Sequence, residues 1–216
     1  MIVVLLLLLA VPAGTAAAQA LDQGTLSIRQ DGREVGREQF VLRQGRGRGD
    51  GPGTTLTSTA RFRSGDSVRT FVAVLQRTPA GSIAAFQYDL PPTSATRRIL
   101  AATDGGRLTV RSLGEDTEAA RQWPATPSMV LLTDSVFVLY AAVADLATRG
   151  GSSLTAVFPR TGARIGFTAT RLPGSRPTET TVQLSGGLTG TVTLDAAGHL
   201  ERLDLPNGIS VVRRPD

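Results

Sequence analysis

The sequence predicts a mainly β protein: a large curved antiparallel sheet or incomplete barrel of roughly a dozen strands, packed around one long apolar helix. Three observations predict it. Runs that alternate polar and apolar residues recur along most of the chain. Turn pairs such as Asp31-Gly32, Gly105-Gly106 and Asn207-Gly208 separate them at hairpin spacing. One stretch only, residues 130–147, carries its apolar side chains at helical spacing. A sheet of that width does not stay flat and should curl.

The elements follow in chain order. Residues 1–20 read as a secretory signal: an apolar core through Leu9, then Ala18-Gln19-Ala20 at the small-x-small spacing of a cleavage site. The segment before the core has no Lys or Arg, and the apolar stretch is well short of the about 20 residues needed to span a bilayer. The expected mature protein therefore starts near Leu21, is periplasmic or secreted, and has no transmembrane span after cleavage. Residues 21–216 form one expected domain.

Residues 24–30 and 34–43 alternate about Asp31-Gly32, a hairpin signal because a type I′ turn needs positive φ at both central residues. Residues 44–53 are half glycine and are expected to be a mobile hairpin tip. The Arg48-Gly49-Asp50 triplet within it reads as a chance match. Residues 54–64 are a strand with Leu56, Ser58, Ala60 and Phe62 on one face. Residues 68–77 are apolar on both faces at their centre, as expected of a strand covered on both sides. Residues 83–90, 98–103 and 107–113 are further strands. Residues 115–123 are polar and read as a short helical or irregular link.

The helix is expected at about 128–148, capped by Ser128 and stopped by Gly150-Gly151 after Arg149. Leu132, Val136, Leu139, Tyr140 and Val143 form one face, and Phe137, Val138 and Leu146 make the rest apolar too. A helix apolar all round is surrounded by protein or lipid. Its apolar run between Asp134 and Asp145 is too short to span a membrane, so it should lie in the concave face of the sheet. Six more strands follow, at 153–158, 164–170, 179–184, 188–195, 200–205 and 209–213.

Composition excludes several chemistries. Cysteine is absent, so there are no disulfides, thiolate nucleophiles or thiolate metal ligands. All 23 basic residues are Arg, which removes Lys Schiff bases and a P-loop Lys. The net charge is +5, but the Arg residues are scattered over polar strand faces, so no nucleic-acid partner is expected. Aromatics are 5%, too few for the girdles of an outer-membrane barrel.

The single histidine, His199, falls in a turn and reads as solvent-facing. Glu34 and Glu38 are four apart on one strand, which places both on one face if the pleat is regular. They are the one carboxylate pair that a hydrolase could use, and they read instead as a wet strand face. Asp134 near the helix start suits the helix dipole. No catalytic residue, metal site or cofactor is expected, and the protein is not expected to be an enzyme.

The order of elements resembles a group of secreted Gram-negative β-proteins distantly similar to the periplasmic lipoprotein carriers LolA and LolB. The residues carrying the resemblance are Gly24 to Ile28, Asp31-Gly32 through Gly36 to Glu38 and Phe40, the late helix around Leu132 to Tyr140, Val157-Phe158-Pro159, Leu194 to Leu200, and Pro206-Asn207-Gly208. The resemblance implies a strongly curved sheet wrapped around helical segments, with a concave face that holds acyl chains in the carriers. This chain differs in having one long helix where the carriers have several.

The expected function is non-enzymatic binding of an apolar or lipid-like ligand between sheet and helix. Phe40, Phe62, Phe71, Phe137, Tyr140 and Phe167 are the expected lining residues. The alternative is an envelope interaction or scaffold module with a protein partner and no small ligand, using exposed strand edges or the Arg-rich loop at 43–48.

Overall fold

The computed structural model describes residues 20–46, 52–150, 152–173, 176 and 178–215. The expected signal, half of the tip at 44–53 and part of the turn at 173–177 lie outside the described residues.

The first half is a run of hairpins: β1 (Ala20–Gln30), β2 (Arg33–Arg46), β3 (Pro52–Ser64), β4 (Ser67–Arg77), β5 (Ile83–Asp89), β6 (Thr96–Asp104), β7 (Arg107–Gly114) and β8 (Glu118–Pro124). The chain then crosses to β9 (Met129–Leu131), a 3-10 turn (Val138–Tyr140) and α1 (Ala141–Thr148). It returns through β10 (Ser153–Phe158), β11 (Ala163–Pro173), β12 (Thr180–Gly186), β13 (Gly190–Leu194), β14 (Leu200–Asp204) and β15 (Ile209–Arg213). β15 pairs with β1, so the two halves form one 15-stranded sheet with β8 and β9 as its edges. Every pair is antiparallel except β9 with β10.

The connectivity requires curvature. β8 and β9 are fourteen steps apart in the sheet, which at about 4.8 Å per step would separate them by about 67 Å if flat. Residues 125–128 join them and can bridge at most about 18 Å. The sheet therefore curls until its edges approach, without closing. Arg121 on β8 donates from Nη1 to the Thr161 carbonyl at 2.6 Å, in the turn between β10 and β11, across this seam.

The alternating residues of the inner face, Leu26, Ile28, Phe40, Ala60, Phe71, Ala73 and Leu75 among them, join Val136–Tyr140 and Val143 in one core. α1 packs against β11 and β13, and the 3-10 turn packs against β14. The far end of α1 reaches β4, where Asp145 meets Arg77. β4 and β11 are eight steps apart, about 38 Å if flat, whereas an eight-residue helix is about 12 Å long. One short helix touches both only inside a curl.

Four expectations need correction. The helix is not 128–148 but only α1 with the 3-10 turn before it. Met129, Val130 and Leu131 pair with β10 instead. Thr133 Oγ1 then accepts from the Val136 amide at 2.9 Å, a local bond that competes with helix formation. A run apolar all round satisfies either period, and β10 offered the segment a strand partner. Ser128 is consequently not a cap; its carbonyl accepts from Thr155 N at 3.0 Å. The end of α1 is as expected, with Gly150 at φ 94 just beyond Arg149.

Residues 115–123 are not a link, since 118–124 are the edge strand β8. It is exposed on both faces, so no alternation marks it, and pairing with β7 holds it, with Arg111–Glu118 across the pair at 2.5 Å. The tip at 44–53 is shorter than expected, because the hairpin stays paired out to Arg46 and Pro52.

Candidate functional site

α1 does not fill the curl completely. A cavity of about 350 Å³ lies between it and the first four strands. Strand alternation supplies the apolar floor: Phe40 and Leu42 from β2, Leu56 from β3, Leu75 from β4. Val138, Leu139, Ala141 and Ala142 form the roof. Ala141 and Ala142 are half-buried while Val143 and Ala144 are fully enclosed, so the small side chains of α1 face the cavity. Leu21 and the turn at 197–200 complete the wall.

A buried carboxylate positions the roof. Glu38 is fully enclosed on the inner face of β2. Its Oε2 accepts from the Phe137 amide at 2.7 Å, and Oε1 accepts from the Val138 amide at 3.2 Å and the Ser58 hydroxyl at 2.7 Å. Amides at the start of a helical segment have no intrahelical acceptor, and Glu38 supplies one. Burial pushes its carboxyl up to about 7, against the Ser58 hydroxyl and the two amides, which favour the charged form.

The rim is charged. Arg77, at the end of β4, donates from Nε to the Gly81 carbonyl at 2.7 Å and pairs through Nη1 with Asp145 of α1 at 3.0 Å. Asp145 is shared with Arg149 at 2.8 Å. Burial pushes the Arg77 guanidinium down, and Asp145 opposes it. Its Nη2 is buried without a hydrogen-bond partner among the described residues. On the other side Arg213 holds Asp22 at 2.5 Å and lies over the Phe40 ring, 5.3 Å from its centroid.

Of the six expected lining residues, only Phe40 reaches the cavity. Phe62 and Phe71 meet edge-to-face at 5.7 Å, and Phe71 stacks on Tyr88 at 6.1 Å. These rings fill the core at β3–β5. Phe137 and Tyr140 are enclosed within the core, and burial pushes the Tyr140 hydroxyl up to about 12. Phe167 is buried on β11.

Glu34 and Glu38 are not paired. Ile28 faces Gly36 and the next residue, Arg29, faces Glu34, so Val35 is an extra residue in β2. That bulge reverses the alternation and sends Glu34 to the outer face, where Ser27 and Arg37 hold its carboxyl below the usual range. Asp134 lies ahead of α1, paired with Arg160 at 3.0 Å, and so has no place at the helix start. His199 lines the cavity and pairs through Nδ1 with Asp195 at 3.3 Å.

Leu42, Leu56, Leu75 and Arg77 were not anticipated as site residues. Glu38 was, but as a wet residue. On the outer face Arg37, Arg61, Arg63 and Arg214 border a polar groove of about 760 Å³. Among the described residues no group of three acidic or imidazole side chains could hold a metal, and no helix is long and apolar enough to cross a membrane.

The arrangement defines a class: an unclosed, curled β-sheet with a helix roofing an apolar cavity in its concave face. No family model matches the chain, and no curated protein matches it. Among solved structures the chain is similar to a β-barrel-like protein of the domain of unknown function DUF1849 from Brucella abortus, at 12% identity and a TM-score of 0.48, over 92% of this chain and 97% of that one. It is also similar to a DUF1089 family protein from Pseudomonas aeruginosa, at 12% identity and a TM-score of 0.47, over 79% of this chain and 90% of that one.

Proposed function

We propose that the protein is a non-enzymatic, exported binding protein that holds an apolar, lipid-like ligand between its curved sheet and α1. The cavity carries this reading. Its volume of about 350 Å³ is within the range of small-molecule sites. Its walls are aliphatic with one aromatic ring, and charged groups stand at its rim, Arg77, Asp145 and Arg149 on one side and Asp22 and His199 on the other, so an apolar chain and a polar head both find partners. The signal-like residues 1–20 support a destination outside the cytoplasm.

The test is fluorescence titration of the purified protein with N-phenylnaphthylamine, a dye that brightens in apolar surroundings. The wild type should bind it saturably. Ala142→Trp, which fills the cavity from α1, should abolish binding while the melting temperature stays near that of the wild type. Saturable binding that survives in Ala142→Trp would remove the cavity as the site.

A further inference from the structure

The cavity has a charge imbalance at one end. Arg77 and Arg149 share the single carboxylate of Asp145, while Asp22 on the opposite wall is already held by Arg213. At that end two guanidinium groups face one carboxylate, a surplus of one positive charge. The surplus has a location. The Arg77 side chain is only 15% exposed, its Nε and Nη1 are engaged, and Nη2 is enclosed without an acceptor among the described residues. A Cβ placed on Gly81, which also lines the cavity, would fall 2.9 Å from that nitrogen, so only the bare turn at Gly81 covers Nη2, and an acceptor in the cavity reaches it when that turn shifts.

An unmet donor on a buried cation is costly, and a guanidinium edge matches a carboxylate in shape and charge. From these observations we infer that Arg77 binds the carboxylate of the ligand, and that the ligand is a single-chain fatty acid. The inference rests on the cavity reading above. The volume agrees with it: about 350 Å³ is at the low end for ligand sites and has room for one chain. The chain would run along Leu75, Leu56 and Leu42 beneath Ala142, with its head at the end of β4.

The test compares dodecanoate with dodecanol by calorimetric titration of the whole protein. Dodecanoate should bind about tenfold more tightly, the size expected of one charge-assisted contact, and Arg77→Gln should bring the ratio of the two affinities to about one. Equal binding of the two by the wild type, or a preference that persists in Arg77→Gln, overturns the inference and leaves the cavity reading standing. Failure of both ligands to bind the wild type overturns both. If Arg77→Gln does not fold, Asp145→Asn serves instead. It keeps Arg77 and removes the competing carboxylate, so the preference for dodecanoate should rise several-fold. An unchanged preference there also overturns the inference.

Discussion

Glu38 Oε2 accepts a hydrogen bond from the Phe137 amide at 2.7 Å, across 99 residues of sequence. This bond joins the inner face of β2 to the segment that enters α1. It sets where the roof of the cavity stands above its floor, so the polar interior of this fold and its apolar cavity are linked.

Glu38→Ala should be severely destabilising. It leaves the amides of Phe137 and Val138 and the Ser58 hydroxyl without their shared acceptor in a closed core. The expected loss is about 3 kcal/mol or more by urea denaturation. Glu38→Gln keeps one acceptor oxygen and should lose less.

Stability should fall with rising pH through this one group. Burial pushes the folded carboxyl up to about 7, whereas the unfolded one keeps its ordinary value of 4.5. Between those values the folded state binds the extra proton. The stabilisation is therefore fully present below the unfolded value and is lost as pH rises through about 7. The whole effect is at most about 3 kcal/mol. Denaturation midpoints from pH 5 to 8 should decline in the wild type and decline less in Glu38→Gln.

Asp145→Ala should cost about 1–3 kcal/mol, because it leaves the largely buried Arg77 without its counter-charge. Arg77→Met combined with Asp145→Ala should recover much of that loss. A double-mutant cycle with coupling near zero would show that the pair does not tie α1 to β4.

Gly36→Ala should destabilise by about 1–3 kcal/mol. The added methyl would lie 2.7 Å from the Arg61 carbonyl and 2.9 Å from the Phe62 ring, beside the bulge that turns Glu34 outward. Thermal melting checks it.

Much of the fold was legible because strand alternation and turn chemistry are local. Asp31 and Gly32 both have positive φ, as their order in the sequence predicts. The apolar segment around Tyr140 does lie within the curl. Its secondary structure was less legible, since Met129–Leu131 gained a strand partner in β10 that no local pattern announces.

The site was harder to read. An aromatic ring on an inner face looks the same in sequence whether it packs in a core, as Phe71 does, or borders a hollow, as Phe40 does. One signal was available: Ala141, Ala142, Asp145 and Arg149 share a flank of the helix and break its apolar circumference. Another was Gly36, since a glycine inside a strand often marks a bulge. With that bulge, the buried face of β2 takes Glu38 and not Glu34.

The most direct test is a crystal structure of the protein grown with dodecanoate. The account predicts an acyl chain between Leu56 and Ala142, with its carboxylate on Arg77 Nη2. An unfilled cavity, or a chain lying only in the outer groove by Arg37 and Arg61, would contradict it.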